Sequence, residues 1–262
     1  MTKSFHAKYI GKINHYFETI DSTNNYAQIL ISNSSPKEGT VISAGFQVAG
    51  KGQYGRNWQG AAKINIYMSV ILRPCFLNIG QQFILNKAIA VGVSAAIQHF
   101  IDNKVTIKWP NDLYVNDSKI GGILIQNTVQ GSAIINSIIG IGINVNQTEF
   151  DYLPNPTSLK LEKQSDFELQ KVQDTICYLL EHWYDELKSE NYTTIINAYN
   201  NQLYGLGKPS TFITKTIQNN KQFITGTILS VDDFGRILID HHGATKAYNH
   251  NEISMIVTPH QS

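Results

Sequence analysis

Four cations, a carboxylate and a glycine-rich loop are the residues in this chain best suited to chemistry. The stretch from Gly45 to Trp58 reads GFQVAGKGQYGRNW, with glycines at 45, 50, 52 and 55, the cations Lys51 and Arg56, and a closing Trp58. Glycines at this density let the backbone take positive φ, approach a ligand closely and turn peptide N–H groups toward an anion. Further on, the run Lys108-Trp109-Pro110-Asn111-Asp112 and Lys119 put two more cations, an amide and a carboxylate into a short apolar stretch. Such groups are costly there unless they are partnered. Together the two stretches describe a cradle for anions. Each also has a plain reading: a mobile surface hairpin for the loop, and a salt-bridged structural bend for the second stretch.

The loop is not a familiar phosphate loop. No G-x-x-x-x-G-K-[ST] is present, and G-x-G-x-x-G needs a helix directly after it. Here an apolar run at 39–44 precedes the loop and a strand-like run at 64–72 follows it. The loop therefore joins strand to strand and cannot borrow a helix N-terminus. Such an end exists earlier, at Asp21-Ser22-Thr23-Asn24, where four good N-cap residues precede a helix with Tyr26, Ile29 and Leu30 on one face. Ser22 and Thr23 can cap the helix or offer hydroxyls to a small polar ligand, and a cap sits at the helix end that favours anions.

The remaining elements follow from periodicity. Apolar positions recur at helical spacing from Asn78 to Ile101. Residues 105–108 alternate as a strand that Pro110 interrupts, which points to an edge or loop. Asn116-Asp117 marks the turn of a hairpin over 112–126. Ser132 to Asn146 is a nearly continuous apolar run, as a central strand should be, and Gly140 and Gly142 within it signal close approach to the backbone. Asn144 and Asn146 end that strand, as turn-closing residues or as groups that bind a ligand or a metal-bound water. Ser165-Asp166-Phe167-Glu168 has the form of a capping box, ahead of amphipathic helices at 169–187 and 192–203. Short strand-like runs fill 209–258, with a hairpin turn at Asp233–Arg236, and predict a small β-barrel. The division expected is 1–207 for a main α/β domain and 208–262 for the barrel. His241, His242 and His250 lack the further ligands that a metal site needs.

The 262 residues suffice for one large domain with a small appendage, and for a core without staples. Charged residues make up 16% of the chain, against the usual roughly 25%. A net charge of +1 gives no general argument for nucleic acid or membrane binding. Cys75 and Cys177 form no metal motif, so a reduced cytoplasmic setting is the default. Met1-Thr-Lys-Ser-Phe-His carries no apolar h-region and no apolar run reaches transmembrane length, so neither export nor membrane insertion is expected.

In combination the motifs resemble the biotin–protein ligase family, biotin–[acetyl-CoA-carboxylase] ligase. The resemblance rests on Asp21-Ser-Thr-Asn, on Gln47 with the run Gly50 to Trp58, on Lys108 to Asp112, on Lys119-Ile-Gly-Gly-Ile-Leu and on Gly140-Ile-Gly-Ile-Asn, in the family's order over residues 16–146. It implies an α+β fold: a class II aminoacyl-tRNA-synthetase-like, biotinyl/lipoyl ligase catalytic domain, built as a mixed, largely antiparallel sheet with helices, plus an SH3-like barrel. The implied reaction joins biotin and ATP into biotinyl-5′-AMP with loss of pyrophosphate. Biotin is then passed to one lysine of an apo biotin-carboxyl-carrier domain of a biotin-dependent carboxylase. ATP, biotin and Mg²⁺ are the implied small molecules. Two anions must meet, so cations must offset their repulsion, and catalysis is positioning and electrostatics without a protein nucleophile.

The same resemblance implies roles. Ser22, Thr23, Asn24 and Gln47 would meet biotin's polar groups, with Gly50, Lys51 and Gln53 closing over it and Gly122, Leu124, Gly140 and Gly142 forming its walls. Lys119 would bind its carboxylate and the phosphate, beside Arg56 and Lys108. Gly50, Lys51, Gly52, Gly55, Arg56, Asn111 and Asn144 would serve the nucleotide, and Trp58 would stack on adenine. Asp112 would help the acceptor lysine lose its proton or would orient Lys119. No residue is assigned as a metal ligand. Only about fifteen residues precede the pattern, too few for the helix-turn-helix domain of some relatives, so the implied type is monofunctional, without direct repression or DNA binding. A homodimer stays open as an oligomeric state. Alternatives are a lipoate–protein ligase or octanoyltransferase of the same fold, a non-catalytic biotin-responsive interaction protein, and a nucleic-acid binder using the barrel; the last lacks a basic stripe with interleaved aromatics.

One departure carries a prediction. Where many relatives have Gly-Arg-Gly-Arg-Arg-Gly-Arg, this chain has Gly50-Lys-Gly-Gln-Tyr-Gly-Arg, so Gln53 replaces a cation of the loop. Gln53→Arg should slow release of the bound adenylate, measured by chasing labelled adenylate from the protein; an unchanged rate would show that Lys51 or Tyr54 already compensates.

Overall fold

In the computed structural model, which describes residues 5–151, 155–215 and 221–257, the first sheet is laid down by seven strands. They are β1 (Asn14–Phe17), β2 (Val41–Ala44), β3 (Ile66–Leu72), β4 (Val105–Lys108), β5 (Asp112–Val115), β6 (Ser118–Gln130) and β7 (Ala133–Ile143). Their spatial order is β1-β2-β3-β7-β6-β5-β4. Only β1 and β2 run parallel; every other neighbouring pair is antiparallel. The mixed, largely antiparallel sheet is thus as expected, and the apolar run at 132–146 supplies its central strand.

Successive side chains of a strand point to opposite faces, and β3 and β7 use both. Ile66, Met68, Val70 and Leu72 of β3, with Ile139, Ile141 and Ile143 of β7, join the main core. Burying each such side chain contributes about 1.5–3 kcal/mol. The alternate positions, Tyr67, Ser69 and Ile71 of β3 and Ile138, Gly140 and Gly142 of β7, face the other way. There α1 (Thr23–Asn33) covers only part of the sheet, through Ala27 against Ile42, Ile71 and Ile138. The uncovered part of this face is where a site can form.

The core face is sealed by α2 (Gln82–Gln98), α4 (Leu169–Lys188) and α5 (Tyr192–Gln202). The short α3 (Leu159–Lys163), which periodicity does not announce, is capped by the Ser158 hydroxyl accepting from the Leu161 N–H at 3.2 Å. α2 is shorter than 78–101 because Asn78 and Gln81 form a capping box on a single 3-10 turn ahead of it. The capping box expected at Ser165–Glu168 is not formed. α4 begins at Leu169, Glu168 caps it without a side-chain bond, and Asp166 pairs instead with Lys160 at 2.8 Å. The lead-in is held by Asn146, whose amide accepts from the Phe167 N–H at 2.9 Å and donates to the Phe167 carbonyl at 2.8 Å. A long-range amide clamp thus displaces a local motif.

The second sheet contains β8 (Pro209–Lys215), β9 (Lys221–Val231), β10 (Ile237–His241), β11 (Ala244–Tyr248) and β12 (Ile253–Met255), in the order β11-β10-β9-β8-β12 and antiparallel throughout. The expected small barrel is therefore seen as a five-stranded antiparallel sheet; among the described residues β11 and β12 do not pair to close it. The turn at Asp233–Arg236 is present, held by Asp232 accepting from the backbone N–H of Phe234 and Arg236 at 3.0 and 2.8 Å. Two bonds key this sheet to the first. The fully buried Lys87 of α2 donates to the Val231 carbonyl at 3.0 Å, and the Trp109 indole donates to the Gly235 carbonyl at 2.9 Å. No helix among the described residues is long and apolar enough to cross a membrane.

The segment before β1 is tied to α4 through the Tyr9 hydroxyl, which donates to Asp185 at 2.7 Å, and through the carboxylate of Glu181. Buried Glu181 accepts from the backbone N–H groups of Lys8, Tyr9 and Ile10 at 2.6, 2.8 and 2.9 Å. Glu181→Ala leaves three donors without their acceptor and should lower unfolding free energy by about 3 kcal/mol in urea melts; a loss below about 1 kcal/mol would mean the segment does not depend on this clamp.

Candidate active site

The uncovered face of the first sheet opens into a cavity of about 750 Å³. Its floor is backbone. Gly122 of β6 lies directly opposite Gly142 of β7, and Gly140 lies opposite both Ser69 of β3 and Leu124 of β6. These glycines are required by what rests on them. A Cβ on Gly142 would collide with the Trp58 indole, one on Gly122 would press on the same ring, and one on Gly140 would strike the Asn24 amide.

At one end stand Ser22, Thr23 and Asn24, all buried at the start of α1. Ser22 occupies the N-cap position but makes no side-chain capping bond, so it lines the cavity instead. Thr23 donates its backbone N–H to Gln47 Oε1 at 2.8 Å, and its hydroxyl lies 3.1 Å from the same oxygen. Asn24 Nδ2 donates to Gln126 Oε1 at 2.8 Å. A connected polar cluster at a helix start is suited to a small neutral group with both donors and acceptors.

The glycine loop folds as a narrow hairpin beside the cavity. The Trp58 N–H donates to the Gly50 carbonyl at 2.8 Å, the Gly52 N–H to the Arg56 carbonyl at 2.7 Å, and a 3-10 turn at Gln53–Gly55 forms the tip. Lys51, Gly52, Gln53, Arg56 and Trp58 line the cavity. Gly50 and Gly55 do not: Gly50 lets Trp58 pass close to the backbone, and Gly55, at φ +71°, makes the turn. The indole lies against the glycine floor with Lys119 Nζ 5.5 Å from its ring centre. Trp58 Nε1 is buried without a hydrogen-bond partner, an orphan that an acceptor on a ligand would satisfy.

The bend after β4 supplies the strongest charges. Lys119 and Asp112 form an ion pair at 2.6 Å with side chains 19% and 27% exposed. Lys108 Nζ lies 5.7 Å from the Tyr114 ring centre. Burial pulls the Lys108 ammonium below the ordinary lysine range; Asp112 opposes that shift, and the charges of Lys119 and Arg56 add to it. Asn111 lines the wall and donates its amide to the Ile123 carbonyl. Four cations, Lys51, Arg56, Lys108 and Lys119, thus face two carboxylates, Asp112 and Glu252, around one cavity. That excess of positive charge suits a ligand carrying several negative ones.

Seventeen of the twenty residues singled out from sequence line the cavity; Gly50, Gly55 and Asn144 do not. Asn144 is buried at the end of β7, where its side chain donates to the Thr157 carbonyl at 3.0 Å. Sequence reasoning missed the far wall, residues 250–255 with Ile213, which comes from the second sheet. No local signal in 250–255 points there, because the docking through Lys87 and Trp109 creates that wall. It also missed Ser69, for which a signal existed: a buried serine in a mostly apolar strand, on the glycine side. Among the described residues no group of three or more His, Cys, Asp or Glu could hold a metal.

A model of the biotin/lipoate A/B protein ligase family matches residues 16–144, the span that carries floor, loop and bend. The bifunctional ligase/repressor BirA of Bacillus spizizenii is 33% identical over 242 residues, which cover 89% of this chain and 71% of that protein. This chain belongs to the biotin protein ligase family. The biotin–[acetyl-CoA-carboxylase] ligase of Paracoccus denitrificans is 26% identical, over 84% of this chain and 90% of its own. The Aquifex aeolicus biotin protein ligase, solved with biotin and ATP, shares the fold at a TM-score of 0.75, with 23% identity over 94% of this chain and 100% of that one.

The ligase's glycine floor makes a direct test of the Trp58 position. Gly142→Ala should push the indole off the sheet into water, red-shifting tryptophan emission relative to wild type, and the shift should vanish in a Trp58→Phe background. An unshifted spectrum would mean that the ring does not rest on Gly142.

Proposed function

We infer that this chain is a biotin–protein ligase that activates biotin with ATP and transfers it to a lysine of an acceptor protein. The observation that carries this reading is the single cavity that joins a neutral polar cluster at α1 to a wall of four cations across a floor of bare backbone. A small polar head fits the first, a linear chain fits the floor, and a carboxylate meeting a triphosphate fits the cations.

In the first step a biotin carboxylate oxygen forms a bond to the α-phosphorus of Mg·ATP, and the bond to pyrophosphate breaks. Lys119, held 2.6 Å from Asp112, is placed to draw the two anions together; Lys51, Arg56 and Lys108 spread the remaining charge. The ion pair favours the orienting role for Asp112. Ser22, Thr23, Asn24 and Gln47 hold the ureido head, and Trp58 leaves or shares the floor so that its ring meets the nucleotide. In the second step the acceptor lysine nitrogen attacks the acyl carbon, AMP leaves, and the amine loses its proton. The hairpin loop excludes water from the mixed anhydride between the steps. Because relatives carry the name biotin–[acetyl-CoA-carboxylase] ligase, the acceptor we assign is a biotin-carboxyl-carrier domain of such a carboxylase.

The test is pyrophosphate release from Mg·ATP with biotin or with lipoate, alongside detection of the bound acyl-adenylate. Biotin-dependent release is expected, with Lys119→Ala slowing it about 100-fold or more, roughly 3 kcal/mol of barrier. Lipoate-dependent release in its place would move the chain to the other branch of its family, and no release with either acid would refute adenylation.

A further inference from the structure

Ser69 has no part in the reading so far. It is fully buried on β3, does not line the cavity, and sits opposite Gly140 in the ladder to β7. Its Oγ lies 2.7 Å from Thr23 Oγ1 and 2.6 Å from Asn24 Oδ1. Both neighbours line the cavity, so Ser69 lies directly behind the wall that meets the ligand's head.

With the Asn24 amide oriented so that Nδ2 donates to Gln126 Oε1, these distances order the protons. A hydroxyl has one proton to give, and an amide oxygen has none. At 2.6–2.7 Å each contact needs a proton between its oxygens. Were Ser69 to donate to Thr23, lone pairs of Ser69 Oγ and Asn24 Oδ1 would face each other in a buried site. Ser69 therefore donates to Asn24, and Thr23 donates to Ser69. Gln47 Oε1 keeps its bond from the Thr23 backbone N–H at 2.8 Å, while the hydroxyl contact at 3.1 Å is the weaker one. At the cavity surface Thr23 Oγ1 is then an acceptor, and Gln47, its oxygen engaged, offers its Nε2 as a donor.

We propose that Ser69 is a positioning residue that fixes hydrogen-bond direction at the α1 end of the cavity, so that the wall selects a head group with both N–H and C=O. The ureido ring of biotin has both; the dithiolane ring of lipoate has neither. The inference rests on the biotin-ligase reading and adds to it the origin of head-group selectivity. Without the Ser69 hydroxyl, the Thr23 proton turns toward Gln47 or the cavity, where it opposes the ligand's own N–H.

The experiment is steady-state adenylation by the full chain, with biotin and ATP varied separately. Ser69→Ala should raise the biotin KM about tenfold, as expected for one misdirected hydrogen bond, while kcat and the ATP KM stay within about twofold. Ser69→Thr, which restores a hydroxyl, should return the biotin KM to within about threefold of wild type. A biotin KM unchanged in Ser69→Ala would overturn the proposal. So would losses spread equally over biotin, ATP and kcat, since those mark a packing defect. If Ser69→Ala loses its cooperative melt, Ser69→Cys carries the test: a raised biotin KM alone supports the role, and an unchanged one overturns it. Wild-type protein that adenylates no biotin refutes the underlying function, an outcome distinct from active wild type with an indifferent Ser69 variant.

Discussion

The structure depends on a division of labour between the two faces of one antiparallel sheet. Alternate residues of β3 and β7 cannot point the same way. The odd-and-even split sends isoleucine, methionine and valine into the helices on one side and leaves Ser69, Gly140 and Gly142, beside Tyr67 and the α1-covered Ile71 and Ile138, on the other. Helix packing thereby fixes the register of the strands, and a slip of one residue would carry the core residues into the cavity. The stability of the fold and the shape of the site are thus two readings of one alignment.

Charge is then concentrated where the sheet is barest. Lys108 stands partly desolvated next to the Asp112–Lys119 pair, and its depressed ammonium pKa reflects that burial. Such a cluster is poorly explained as a contribution to folding, since buried ion pairs give weak net stability. It is better explained as preorganisation: the cations are already in place, so little rearrangement is needed when anions arrive. Lys87 is a different case. It is fully buried and is occupied with the Val231 carbonyl at the junction with the second sheet, and its role is to dock rather than to bind.

Much of this was legible in the residues. The glycine loop between two strands, the Lys108–Asp112 bend and the glycines of the central strand all carry local signals, because backbone conformation and charge density are properties of a few consecutive residues. What was not legible depends on contacts between distant segments. The far wall at 250–255 exists only once the second sheet has docked. The capping box at Ser165 was a sound local pattern that lost to Asn146, a partner twenty-one residues away from Phe167. Asn144 carried the chemistry of a ligand but is engaged with the Thr157 carbonyl. Ser69 could have been found by asking why a buried, mostly apolar strand keeps a serine.

A floor made of peptide groups has a thermodynamic consequence of its own. Glycines have no side-chain torsions to freeze, so a flexible chain laid across Gly122 and Gly142 meets a surface that loses almost no freedom on contact. The entropic burden of binding there falls on the ligand and on the Trp58 ring that rests on these glycines, not on the floor itself. Shortening or stiffening the ligand's chain should therefore change binding entropy through the small molecule, while this stretch of protein behaves as a rigid rail.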